Sequence, residues 1–542
     1  MRSIVLLLVV LSAALAANAQ QFTRQDTLRG TLTADRNWWD VTYYDLHVKV
    51  SLADSSLSGK NIIHYRVLKP YKTMQIDLQQ PMQIDSVVQA GKSLKFRRDG
   101  NAFFITMQAA QVAGKINQLT VYYHGLPRKA IRAPWDGGVQ WSLDSLNRPW
   151  IATACQNLGA SVWWPNKDHQ TEEADSTNIT VTVPSDLTNV SNGRLRSRKD
   201  NGDGTTTFNW FVSNPINNYD VSLNIAHYTE FTDSFTGEKG KLDMSFWVLD
   251  YNLDRAKKHF EVVKPMMKCF EHWFGPYPFY EDSYKLVETP HLGMEHQSAV
   301  AYGNKYKMGY LGRDLSGSGW GLKWDFIIIH ETGHEWFGNN ITTKDIADMW
   351  VHEGFTNYSE TIFTQCADGL QAANEYNRGS RRNVQNDIPI IGKYGVNNEG
   401  SGDMYPKASA MIHNIRQIIN DDEKFRQILR GLNKKFYHQT VTGRQVQQYI
   451  NNATGKNFDK VYEQYLTTIV IPELEYKIEN GVLSYRWSNS VKGFNMPIKV
   501  TLSDGQYSFI YPLQSWKTTK LQLSDPSKFA IDPNFYIKVK KS

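Results

Sequence analysis

Cysteine is scarce. Three residues among 542, Cys155, Cys269 and Cys366, exclude a disulfide framework. Their wide spacing permits one bridge at most, and buried thiols suit it equally well. No apolar run reaches the roughly 20 residues that a membrane-spanning helix needs. Lysine and arginine never cluster among aromatics in the way a nucleic-acid groove requires, and the net charge is a modest +6. Tandem repeats and low-complexity tracts are missing too. These absences leave a large globular chain, too long for one core and suited to three domains.

The N-terminus has the form of an export signal. Met1-Arg2-Ser3 carries one early positive charge, Ile4 to Ala17 is apolar, and Ala17-Asn18-Ala19 is a small-residue cleavage site. The expectation is a signal peptide over 1–19, cleavage near Ala19/Gln20, and a secreted or periplasmic mature protein.

Periodicity divides the rest. Tyr44, Leu46, Val48 and Val50 alternate with Asp45, His47 and Lys49, as in a half-buried strand. Asn201-Gly202-Asp203-Gly204 marks a turn before Thr205 to Val212. Residues 20–235 therefore read as an N-terminal β domain. Helical patterns follow over Leu253 to Trp273, Phe326 to Phe337, Met349 to Ala367 and Ala408 to Ile419, within a mixed domain over 236–470. Asn480-Gly481 and Asp504-Gly505 then signal hairpins, and 471–542 reads as a small β-sandwich. Lys538-Val539-Lys540-Lys541 is expected as a solvated strand end. The fold class is multidomain α+β.

The chemistry concentrates in His330-Glu331-Thr332-Gly333-His334. Residues four apart share a helix face, so two imidazoles point one way with a carboxylate beside them. Two histidines at that spacing are commonplace by themselves. A zinc site that leaves one position open needs a third protein ligand, and Glu353 follows after eighteen residues on a second expected helix. His352 is a rival by type, but adjacent helical residues face different ways. Glu360, seven residues beyond Glu353, lies on the same face and could brace a ligand. Gly333 costs a helix roughly 1 kcal/mol against alanine, which implies a close approach by another backbone or a substrate. Gly338-Asn339-Asn340 reads as the helix stop. The Asn-x-Ser/Thr triplets at Asn340 and Asn357 fall inside these motifs and are read as chance.

Together these residues resemble the gluzincin aminopeptidases, the family of aminopeptidase N and leukotriene A hydrolase. The resemblance extends to Phe274-Gly275-Pro276-Tyr277-Pro278, to Leu292-Gly293-Met294-Glu295-His296 (similar to the family's G-x-M-E-N motif), and to Tyr405-Pro406-Lys407-Ala408 (similar to its Y-x-K-G element). It implies a thermolysin-like catalytic domain in the middle of the chain and one zinc ion held by His330, His334 and Glu353. It further implies Glu331 as general base and Tyr405 as the oxyanion's hydrogen-bond donor. Glu295 would pair with the free α-ammonium of a peptide, completed by Gln156, while Gly293 and Met294 line the peptide. The implied substrates are peptides with a free N-terminus.

Several positions depart from the family pattern. Leu292 stands for its first glycine, His296 for its asparagine, Ala408 for the glycine after the lysine, and Thr332-Gly333 for a bulkier pair. None of these removes a ligand or a proton carrier. The chain also stops before the long helical domain that roofs the site in many members, so a more open entrance is expected. A thermolysin-type endopeptidase, an epoxide hydrolase activity and a secreted binding protein with a vestigial site remain as alternatives.

Overall fold

Alternating side chains build the N-terminal half. The computed structural model describes residues 21–542, and the expected signal peptide and its cleavage site lie outside them. The strand Trp39–Ser51 buries Tyr44, Leu46, Val48 and Val50 and leaves Lys49 exposed, as the period of two requires. It sits inside an eight-stranded sheet, antiparallel to Ser56–Val67 and parallel to Ser176–Pro184. The turn at 201–204 joins Arg194–Asp200 to Thr205–Val212 at one edge of that sheet. A four-stranded sheet (Thr188–Val190, Asn224–Ala226, Pro149–Ala154, Gly138–Leu143), a three-stranded sheet and a short pair, Glu173–Ala174 with Ile216–Asn217, accompany it in this half. Their inward faces enclose a core that includes Trp38, Trp39, Trp163 and Trp164.

The second half begins with a long hairpin, Tyr228–Gly237 and Gly240–Leu249, inside which the expected division at 235/236 falls. The hairpin leads into a five-stranded sheet that continues through Tyr284–Glu288 and Val300–Tyr302 to a two-residue edge strand, Gly293–Met294. Helices pack against this sheet. Asp325 caps Phe326–Gly333, its side chain accepting from the backbone N–H of Ile327 (2.9 Å) and Ile328 (3.2 Å). His259 and the Tyr302 hydroxyl bond the other oxygen of Asp325, so the cap is itself held from two sides.

Beyond Gly333 the helix widens into a π-turn, Glu335–Asn339, and the chain leaves it at Phe337 and Gly338, where the stop was expected. The helix Trp350–Asp368 crosses close by. A Cβ on Gly333 would lie 2.4 Å from Ser359 Oγ, so the small residue serves helix-to-helix approach. Cys269 in the helix Val263–Phe274 is disulfide-bonded to Cys366 near the end of Trp350–Asp368, while Cys155 is a buried thiol. One bridge therefore forms, tying the helix that carries Glu353 to its neighbour.

The last segment has the expected hairpins. Glu479 pairs with Val482 around Asn480-Gly481, and Ser503 with Gln506 around Asp504-Gly505. The four-stranded sheet ends at Lys538–Lys541, whose side chains are exposed. Trp487, Phe494, Met496 and Ile498 belong to the same apolar core as the helices Val263–Phe274 and Trp350–Asp368. Among the described residues no helix is long and apolar enough to cross a membrane.

Candidate active site

The helix Phe326–Gly333 places His330 and Glu331 within it and His334 immediately after it, and all three are buried. His330 Nδ1 is 2.8 Å from Glu360 Oε1, and His334 Nδ1 is 3.0 Å from the carbonyl oxygen of Phe337. Both partners can only accept, so each Nδ1 carries the proton and each Nε2 keeps its lone pair. Those two Nε2 atoms face one point. Glu353 Oε2 lies 3.3 Å from His334 Nε2 and 3.7 Å from His330 Nε2. It is shut away from water and has no hydrogen-bond partner. A buried, unpartnered carboxylate oxygen is costly. A cation between the three atoms removes that cost, and the donor set (two imidazoles and one carboxylate) suits zinc.

The ring atoms are braced from behind. Glu360 Oε1 also accepts from Asn357, and its Oε2 accepts from the Tyr376 hydroxyl at 2.6 Å. Thr356 Oγ1 sits 3.1 Å from His334 Nδ1. His352 turns the other way: its Nε2 accepts from the backbone N–H of Thr343 at 2.8 Å. Glu353, not its neighbour, therefore faces the cluster.

These residues open into a cavity of about 640 Å³. Its lining includes Gly293, Met294, Glu295, Gln156, Glu331, Glu360 and Tyr405 as well as the His330–His334–Glu353 cluster, so the structure brings every residue expected to have a site role to one place. The edge strand Gly293–Met294 runs close to Glu331. A Cβ on Gly293 would lie 2.7 Å from Glu331 Oε1 and 2.8 Å from Ile327 Cγ2, so a larger residue there would displace the Glu331 carboxylate. Gln156 Nε2 donates to Glu295 Oε1 (2.5 Å) and to Glu353 Oε1 (3.2 Å). Tyr405 (φ −79°, ψ −80°) stands just outside the helix Pro406–Ile419, with Pro406 at the first helical position and its ring stacked on His330. Ala408 packs against Gly354, where a side chain on the glycine would come 2.7 Å from Ala408 Cβ. His296 is buried beside His291 and does not line the cavity.

Electrostatically the cavity is short of positive charge. Burial pushes the Glu331 carboxyl up to about 7, with the imidazoles of His330 and His334 opposing. Burial also raises Glu295, and burial followed by the Glu353 charge raises Glu399 to about 7. Glu353 behaves oppositely. Burial works against ionisation there, yet His334 and His330 hold its carboxyl well below the usual range. Burial, and after it the Glu353 carboxylate, keep the Tyr405 phenol protonated far above its ordinary value. Among the described residues lining the cavity there is no lysine or arginine. The arrangement fits a dication and a cationic ligand together.

Sequence reasoning missed three neighbours. The Tyr219 hydroxyl donates to Glu295 Oε1 at 3.1 Å. Asn157 Nδ2 donates to Glu399 Oε2, and both residues line the cavity. None carries a motif. Tyr219 is one of 28 tyrosines, and only its position across the domain junction distinguishes it.

Comparison with known proteins agrees with this geometry. Residues 41–219 match the peptidase M1 N-terminal domain and residues 258–465 the peptidase family M1 domain, between them most of the chain. A probable aminopeptidase 2 of Sulfurisphaera tokodaii is 21% identical over 80% of this chain and 49% of its own length. Aminopeptidase B of Rattus norvegicus is 22% identical over 57% of this chain and 45% of its own. The chain thus spans about half the length of the curated relatives it matches. The crystal structure of an M1 zinc metallopeptidase from Deinococcus radiodurans superimposes with a TM-score of 0.66 at 19% identity, covering 81% of this chain and 95% of that one. The fold is the same at that distance. With both of the family's domains matched in order, and the His330–His334–Glu353 cluster inside the second of them, the chain belongs to peptidase family M1.

Proposed function

We propose that this protein is an aminopeptidase that binds one zinc ion and releases the N-terminal residue of peptides. The observation that carries the reading is the convergence of His330 Nε2, His334 Nε2 and the unpartnered Glu353 Oε2 on one point, with Glu331 and Glu295 on the wall of the same cavity. Zinc held by those three residues would supply Lewis acidity, which polarises a carbonyl and acidifies a water.

The chain's own groups account for the rest. Glu331, unengaged by any hydrogen bond among the described residues and facing the cavity, takes the proton of the attacking water and returns it to the departing amine. Tyr405, held protonated by its surroundings, donates to the developing oxyanion. Glu295, fixed by Gln156 and Tyr219, pairs with the α-ammonium and sets the register of the first residue. The open edge of Gly293–Met294 offers backbone groups to an extended peptide. Glu360 and the Phe337 carbonyl keep the imidazoles oriented.

Export to the periplasm or beyond belongs to the same reading. The N-terminal sequence supports it, and so does the Cys269–Cys366 bridge, which persists in oxidising compartments.

Hydrolysis of a panel of amino-acid anilides, with and without chelator, tests the activity, and elemental analysis tests the metal. Zinc-dependent release from free-amine substrates and refusal of the N-acetylated forms are expected. Cleavage of N-acetylated peptides would instead indicate an endopeptidase, and a metal-free protein without hydrolysis a binding module.

A further inference from the structure

Of the carboxylates lining the cavity, Glu331, Glu353, Glu295 and Glu360 have work to do in the proposed reaction. Glu399 does not. It lies in the segment before Tyr405, and its Oε2 accepts from Asn157 Nδ2. The described residues offer its other oxygen no hydrogen bond and give it no basic partner. A carboxylate accepts at about four sites, and Glu399 is only partly buried on the cavity wall, so a donor entering the cavity can reach it.

Its position is built rather than loose. Asn157 holds a left-handed backbone (φ 64°), which asparagine adopts more readily than most residues. The Asn157 carbonyl accepts from Asn397 Nδ2 at 3.0 Å, so the two loops are clasped in both directions. Asn157 is also the chain neighbour of Gln156, which holds Glu295. Their Cα atoms are about 3.8 Å apart. Two carboxylates gripped by consecutive residues lie within the span of one short peptide.

We propose that Glu399 is a specificity residue that receives the cationic side chain of a lysine or arginine at the first or second position of the substrate. The inference rests on the aminopeptidase reading, with the α-ammonium at Glu295. A cationic side chain supplies the missing donors and the missing charge together, and an aliphatic one of equal length supplies neither. A purely structural Glu399, clasping the loops through Asn157, would treat both alike.

The test compares wild type and Glu399→Gln on four dipeptides: lysyl-alanine and norleucyl-alanine, alanyl-lysine and alanyl-norleucine. Norleucine matches the lysine stem without its ammonium. Wild type is expected to favour lysine over norleucine in kcat/KM by about tenfold or more in one series, and Glu399→Gln to bring that ratio to within about threefold of one. The series that responds tells which residue is read. Glu399→Asp, which keeps the charge, should retain part of the preference. No lysine preference in either series, or a preference that survives Glu399→Gln, overturns the proposal. A structural role lowers all four rates together and leaves the ratio intact, which also overturns it. If the zinc-loaded wild type hydrolyses none of the four, the aminopeptidase reading fails instead. Calorimetric binding of the same peptides to both proteins then reads the same ratio.

Discussion

Gln156 Nε2 stands 2.5 Å from Glu295 Oε1 and 3.2 Å from Glu353 Oε1. One amide from the N-terminal domain thus touches both the carboxylate proposed as a metal ligand and the one proposed for the substrate amine. Removing it leaves Glu295 to the Tyr219 hydroxyl alone. Gln156→Ala should raise KM for free-amine substrates more than it lowers kcat. The expected loss in kcat/KM is about tenfold to a hundredfold, the worth of one hydrogen bond to a charged group. Tyr219→Phe should act in the same direction. Steady-state kinetics on one dipeptide series separates the two parameters. A fall in kcat alone would remove Gln156 from substrate binding.

Glu331 is not one of the three proposed ligands His330, His334 and Glu353, so on that reading its loss separates chemistry from metal binding. Glu331→Gln should keep one zinc per chain and lower kcat by about 10²–10⁴. Elemental analysis of the purified variant together with its turnover decides the matter. Loss of zinc along with activity would make Glu331 a ligand instead.

Tyr405 stacks on His330, and burial, with the Glu353 charge after it, raises its phenol well above the ordinary value. Tyr405→Phe keeps the ring and deletes only the donor. A fall of about 10² or more in kcat, with KM nearly constant, is expected of an oxyanion donor. A KM effect with unchanged kcat would make the phenol a ground-state contact.

The Cys269–Cys366 bridge closes a loop of 97 residues between two buried helices. Replacing both cysteines by serine should cost about 2–5 kcal/mol, read as a lower urea midpoint. Thiol titration of the unfolded wild type without reductant should find one free thiol, Cys155. Three free thiols would mean that the bridge does not form.

Glu173 gives a pH signature away from the metal cluster. Burial pushes its carboxyl up to about 7, and its Oε1 has no hydrogen-bond partner. The folded state therefore holds this proton more tightly than the unfolded chain. The contribution is present in full below the ordinary carboxyl value and is lost as pH rises through about 7. Glu173→Gln should match wild type in stability near pH 4.5 and exceed it by about 1–3 kcal/mol near pH 8. Equal stability at both values would show that the carboxyl ionises freely in the folded protein.

Local rules made much of this protein legible from its sequence. The four-residue spacing of His330 and His334 needs only a helix to bring two rings to one face. The Asn480-Gly481 and Asp504-Gly505 hairpins need only a turn that favours those residues. Alternation alone located a strand around Tyr44 to Val50, which the structure extends to Trp39–Ser51. A different kind of fact came from packing. Gly333 admits a neighbouring helix, a choice the sequence had left open between a backbone and a substrate. The cysteine pair was one possibility until two helices lay side by side. Tyr219, Asn157 and Glu399 entered the site from positions 76 to 242 residues away from their partners. Stereochemistry within a few residues sets helix faces and turns, so spacing records them. Contacts between distant segments depend on how whole sheets and helices bury their apolar faces, and no interval along the chain encodes that.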